Sequence, residues 1–96
     1  MITKQEILDF LSSRRDELSK LFSVRRIGLF GSFLRDDAEE DSDIDIVVEF
    51  DSPSFDHYMD LKFYLEDHFS KKVDLVIADT IKPRLRPIIS QQVMYA

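Results

Sequence analysis

The 96-residue sequence predicts an α/β fold of the α+β kind, a small mixed β-sheet flanked by helices in one domain spanning residues 1–96. Three observations carry this. The runs VRRIGLF (24–30), IDIVVEF (44–50) and VDLVIA (73–78) are short, rich in β-formers and closed by turn residues. Two longer stretches repeat apolar residues at helical spacing. Their order, helix, strand, turn, strand, helix, strand, helix, puts helices on one or both faces of a sheet.

Taken in order, Thr3 followed by Glu6 has the spacing of a capping box. It opens a helix in which Ile7, Phe10, Leu11, Leu18, Leu21 and Phe22 recur along one side, and which ends near Ser23. The first strand, 24–30, stops at Gly31, where a tight turn begins. The second strand, 44–50, is closed by Asp51, Ser52 and Pro53, and Ser54 caps a helix of residues 55 to 69. On that helix Tyr58, Leu61, Leu65 and Phe69 make one apolar stripe; Phe55, Met59 and Phe63 make a second. One stripe is enough to cover a small sheet, so the second is either a wider core contact or a partner surface. A strand at 73–78, a short helix at 82–90 interrupted by Pro87, and an edge pairing at Val93-Met94-Tyr95 complete the chain.

Composition narrows the function classes. A chain this size buries roughly 60% of its unfolded surface, enough for one modest core. It has no cysteine, hence neither disulfide nor thiolate metal site. The first residues, MITKQEILDF, lack the pattern of a signal peptide, and the apolar runs are too short to span a bilayer, so a cytoplasmic location is the expectation. A net charge of -6 argues against non-specific nucleic-acid binding. That charge is unevenly placed. Residues 31–50 hold eight acids (Asp36, Asp37, Glu39, Glu40, Asp41, Asp43, Asp45, Glu49) against one base, Arg35, so the remainder sums to +1.

Side chains alternate along a strand, so Asp43 and Asp45 share a face while Ile44 and Ile46 take the other. Two carboxylates about 6 Å apart repel by roughly 3 kcal/mol at an effective dielectric near 20, and a divalent cation reverses that sign. Oxygen ligands of this kind suit Mg²⁺ or Mn²⁺. By itself, Asp-x-Asp reads more simply as a solvated strand end, and so is a weak signal alone. Gly31-Ser32 adds a second element, because Gly31 permits a positive φ and lets the following N–H groups and the Ser32 hydroxyl face an anion. Asp74 interrupts an apolar strand and offers a third carboxylate, as metal ligand or general base. Phosphate beside metal is the arrangement that nucleotidyl transfer requires.

Gly31-Ser32, ten residues, then Asp43-Ile44-Asp45, with Asp74 further on, resembles the signature of the DNA polymerase β-like nucleotidyltransferase superfamily. Within it the chain is similar to the minimal nucleotidyltransferases, the MNT antitoxins paired with HEPN-domain toxins. GSFLR, SDIDIVVEF, KKVDLV and KPRLRPIISQQVMYA carry the likeness over most of the chain. The resemblance implies a polymerase β-like palm and two Mg²⁺ ions held by Asp43, Asp45 and Asp74, the three catalytic and metal-binding residues. It also implies ATP held by Gly31, Ser32, Arg35 and Ser42, and transfer of AMP to a tyrosine hydroxyl of a HEPN toxin, which silences it. One departure stands out: members commonly carry Ala-Arg-Gly after Gly-Ser-Phe, and here the run is Leu34-Arg35-Asp36. The added acid either weakens nucleotide binding or faces solvent. The acids from Asp37 to Asp41 read as a solvated loop.

Elsewhere, Lys82, Arg84, Arg86, Arg25 and Arg26 offer charge to a triphosphate but read more simply as solvated faces. His57 and His68 lie at no metal-ligand spacing, and Tyr58, Tyr64 and Tyr95 suit packing better than self-modification. Three functions fit: an active antitoxin, a nucleotidyltransferase with a small-molecule or nucleic-acid acceptor, and a binding-only antitoxin. A palm this small has no second domain to shape an acceptor pocket, so its acceptor must arrive on a partner, and the stripe of Phe55, Met59 and Phe63 would anchor a HEPN toxin or a second copy of the chain.

Overall fold

The computed structural model describes residues 2–78 and 93–96. Its elements are α1 (Lys4–Ser13), α2 (Arg15–Phe22), β1 (Val24–Phe30), α3 (Gly31–Leu34), β2 (Ile44–Phe50), α4 (Phe55–Phe69), β3 (Val73–Ile77) and β4 (Met94–Tyr95). The four strands form one mixed sheet in the order β3-β2-β1-β4. β1 runs antiparallel to β2 and to β4, whereas β2 and β3 are parallel, with α4 as the connection that parallel pairing needs. The expected helix at 82–90, with Lys82, Arg84 and Arg86, lies outside the described residues.

One helix was expected before the first strand, and there are two. Thr3 caps α1 as expected, its hydroxyl accepting from the Glu6 N–H at 3.2 Å. The Glu6 carboxylate takes the Thr3 hydroxyl rather than the Thr3 N–H, so the box closes on one side only. At Ser13 the hydroxyl donates back to the Phe10 carbonyl at 2.9 Å, and Arg14 leaves helical geometry at φ -103, ψ 11. Serine hydroxyls compete with the helical ladder in this way. The break re-aims the second segment: Leu18 and Phe22 are buried, while Leu21, expected in the core, is 57% exposed. Leu8 takes a core place that the stripe did not include.

The core lies between the helices and one face of the sheet. Ile44, Ile46, Val48 and Phe50 alternate into it from β2, Ile27 and Leu29 come from β1, and Val73 and Leu75 come from β3. From α4 it receives Leu61, Leu65 and Phe69, the first stripe, with Tyr58 packed at its edge and donating its hydroxyl to the Leu75 carbonyl at 2.7 Å. Each such aliphatic side chain contributes about 1.5–3 kcal/mol by leaving water. The second stripe faces out: Phe55 is 76% and Phe63 57% exposed, with Met59 half-buried between them.

The end of the β1–β2 pair where β1 begins and β2 finishes is fastened. Ser23, in left-handed geometry at φ 61, accepts the Asp51 N–H at its carbonyl and the Ser52 N–H at its hydroxyl. A register shift between Val24 and Arg26 inserts one residue, so Arg25 and Arg26 both reach Glu49, at 3.2 and 3.3 Å. Arg26 also lies over the Tyr95 ring. These arginines occupy the end of β1 remote from Gly31 and serve the sheet. The histidines likewise act locally: His57 Nδ1 meets the Ser52 carbonyl at 2.8 Å, and His68 stacks on Phe10. Tyr64 donates to the Glu17 carboxylate, tying α4 to α2.

Candidate active site

The sheet register assembles the acids. Asp45 is the second residue of β2; its Cα partner is Phe30 in β1 and Asp74 in β3. Asp74 is separated from Asp45 by 29 residues in sequence, yet parallel pairing sets them side by side on one face of the sheet, held in step by the Ile44 N–H donating to the Lys72 carbonyl at 3.0 Å. Asp43 precedes the strand by one residue and shares the face of Asp45, as alternation requires.

Phe30 hands the chain to Gly31, which takes φ +75 and starts α3, a single helical turn. A Cβ at this position would sit 2.0 Å from Asp45 Oδ2 and 2.7 Å from its Cγ. The backbone at Gly31 therefore lies directly against the Asp45 carboxylate, and only glycine meets both the conformation and the contact. The Ser32 N–H lies near the same carboxylate and favours its ionised form. That donor, expected to face an anion, is directed to the protein's own acid. The Ser32 hydroxyl makes no hydrogen bond among the described residues.

The electrostatics follow from crowding. Partial burial raises the Asp45 pKa above the usual carboxylate value, the Asp74 and Asp43 charges raise it further, and a side-chain hydrogen bond with Asp74 acts in the same direction. The Ser32 N–H opposes them, because it favours the ionised form. Asp43 and Asp74 are solvent-exposed, so the trio opens to one side. Among the described residues no group of three or more His, Asp or Glu is placed so that it could hold a metal ion as it stands. The donor set still suits a hard divalent cation: oxygen ligands only, and mutual repulsion that such an ion relieves.

Two of the residues expected to hold nucleotide have partners within the chain. Arg35 pairs through Nε with Asp37 at 3.2 Å and is exposed. Ser42 closes the acidic loop, its hydroxyl accepting from the Glu39 N–H at 2.8 Å while its own N–H donates to the Glu39 carbonyl. Asp36, the residue in place of a glycine, has φ 62. That conformation is the physical reason a glycine suits the position. Its carboxylate turns to Lys4 Nζ at 3.1 Å and is 69% exposed. The Lys4 partner on α1 could not be read from local sequence.

Beside the trio, Asp43 and Asp74 line an open cleft of about 650 Å³ together with Lys62, Glu66, Lys71 and Lys72. Sequence reasoning missed this cleft. The three lysines meet only when the end of α4 turns into β3.

Residues 11–95 match the nucleotidyltransferase domain family. The chain is 40% identical over 96 residues to the protein adenylyltransferase MntA of Thermococcus cleftensis, covering 99% of this chain and 97% of that one. Its fold is that of a solved structure provisionally assigned as a minimal nucleotidyltransferase, with a TM-score of 0.74 and 31% identity over 91% of this chain and 93% of the other. A chain of the solved complex of tri-AMPylated Shewanella oneidensis HEPN toxin with MNT antitoxin shares the fold at a TM-score of 0.62 and 21% identity, over 92% of this chain and 70% of that one. With Gly31-Ser32 folded against Asp45 and Asp74 brought beside it, the chain belongs to the nucleotidyltransferase domain family, among its minimal members.

Proposed function

We propose that this protein transfers AMP from ATP to a tyrosine hydroxyl of a cognate HEPN toxin and thereby neutralises it. The observation that carries the reading is the convergence of Gly31, Ser32, Asp45 and Asp74 on one point at the end of the sheet. The relatives support the choice of protein acceptor, since the Thermococcus cleftensis homologue is a protein adenylyltransferase and the Shewanella oneidensis neighbour is complexed with a tri-AMPylated toxin.

Asp43, Asp45 and Asp74 are the residues that would hold Mg²⁺, which when bound lowers the pKa of the acceptor hydroxyl and stabilises charge developing on the α-phosphate. The chain's own part is positional. Gly31 leaves room for the Asp45 carboxylate, and the Ser32 hydroxyl stands next to it as a donor for phosphate oxygens. Asp74 is exposed, so an acceptor brought by another protein reaches it without displacing the core. In the transfer the hydroxyl oxygen bonds to the α-phosphorus, its proton passes to Asp74, the bond from the α-phosphorus to the bridging oxygen breaks, and pyrophosphate leaves.

The acceptor must dock, and α4 presents the means. Phe55, Met59 and Phe63 line its outer face, two of them largely exposed, and they anchor the toxin. The reading is tested with the purified chain, the toxin and ATP labelled on either the α- or γ-phosphate. Label from the α-position is expected on the toxin and label from the γ-position is not. Transfer of the γ-label would make the protein a kinase. Absence of both labels alongside tight complex formation would make it a binding-only antitoxin.

A further inference from the structure

We infer that the cleft beside Asp43 and Asp74 is the acceptor's seat, and that Lys62 and Lys72 on its wall select an acceptor segment carrying an anionic group, carboxylate or phosphate, next to its hydroxyl. The inference deepens the proposed transferase reading and rests on it for the word acceptor. Its structural basis is independent. Gly31 and Ser32 approach Asp45 from β1, on one side; the cleft opens on the other, along the β3 edge of the sheet. A nucleotide and an acceptor that meet at Asp45 and Asp74 need two sides, and these are the two available.

The charges of the cleft are arranged by the fold. In a chain of net charge -6, three lysines gather at the cleft because α4 ends at Phe69 and Ser70, in left-handed geometry, turns Lys71 and Lys72 back toward Lys62. Lys71 is committed: its Nζ donates to the Glu40 carbonyl and lies over the Phe33 ring, fastening the acidic loop. Glu66 is committed too, its carboxylate accepting the Val73 N–H at 2.9 Å. The Lys62 and Lys72 side chains have no ion pair or hydrogen bond among the described residues. Two ammonium groups without partners among the described residues, lining the same open volume of about 650 Å³ as two exposed aspartates, suit a ligand with its anion at the lysines and its neutral hydroxyl at Asp74. A uniformly anionic ligand would be repelled by Asp43 and Asp74, and a cationic one by the lysines.

The test uses the full chain and fluorescent peptides with one central tyrosine flanked by glutamate, by phosphoserine or by glutamine, with binding read by anisotropy without ATP. The glutamate or the phosphoserine peptide is expected to bind roughly fivefold more tightly than the glutamine peptide, the size of effect that two partly solvated ion pairs give. Which of the two leads identifies carboxylate or phosphate. Lys62→Gln with Lys72→Gln is expected to erase the preference, and added salt to shrink it. Equal binding of all three peptides, a preference that survives in the double variant, or a variant defect in ATP binding with peptide preference intact would overturn the assignment. Binding is read without catalysis, so failure of AMP transfer with every acceptor would refute the transferase reading and leave the anion preference of the cleft standing.

Discussion

A side chain at Gly31 and the carboxylate of Asp45 would claim the same space: a Cβ there falls 2.0 Å from Asp45 Oδ2. The turn that ends β1 is thus fitted to the acid that begins β2, and the glycine of the motif serves the aspartate as much as the phosphate.

Gly31→Ala is accordingly expected to fold less stably by at least about 2 kcal/mol, combining a left-handed alanine with a displaced carboxylate. Thermal melts measure the first effect. AMP transfer, or Mg²⁺ response if no acceptor is in hand, measures the second, and a variant with normal melting and normal metal response would contradict the contact.

Stability should also depend on pH through Asp45. Its pKa is higher in the folded protein than in the unfolded chain, through burial and the charges of Asp74 and Asp43, so the folded state binds the proton more readily. The stabilisation linked to that proton is fully present below the unfolded value and is lost as pH rises through the folded one. At neutral pH, Asp45→Asn is therefore expected to melt a few degrees above the parent, with the difference closing in acid near pH 4. A variant that melts lower at neutral pH, with the gap unchanged in acid, would show that crowding is not what Asp45 experiences.

Divalent metal gives a separate readout. Millimolar Mg²⁺ or Mn²⁺ should raise the melting temperature, because an ion bound only by the folded state stabilises it and removes carboxylate repulsion. Asp43→Asn with Asp45→Asn should lose that response. Persistence of the full response in the double variant would place the metal elsewhere.

Asp36 tests the departure from the family's usual glycine. Asp36→Gly relieves a left-handed non-glycine residue and gives up an exposed ion pair with Lys4. The two effects oppose, and a net gain of about 0.5 kcal/mol is expected, with transfer activity unchanged. A several-fold rise in ATP affinity would show instead that the acid reaches the phosphates.

The outer face of α4 separates stability from docking. Phe55→Asp with Phe63→Asp changes two exposed positions and should leave the melt within about 0.5 kcal/mol of the parent. Co-purification with the toxin is expected to fail. Normal complex formation by the folded variant would remove this face from the interface.

Much of this protein is determined by local sequence. β1, β2 and α4 lie where alternation, the Ser54 cap and Pro53 put them, because strand and helix periods and turn chemistry act over a few residues. It is the resemblance to the family's Gly-Ser and Asp-x-Asp signature that joins Gly31, Ser32, Asp43 and Asp45 as a unit. Tertiary structure decided the rest. The break at Arg14 follows from a serine back-bond and from packing on the sheet; it exposes Leu21 and buries Leu8. Asp74 becomes a neighbour of Asp45 only through parallel strand register, and Asp36 is neutralised only because Lys4 on α1 comes within 3.1 Å. The lysine cluster belongs to neither α4 nor β3 alone. Each of these depends on residues distant in sequence meeting across the core, which periodicity and spacing do not encode.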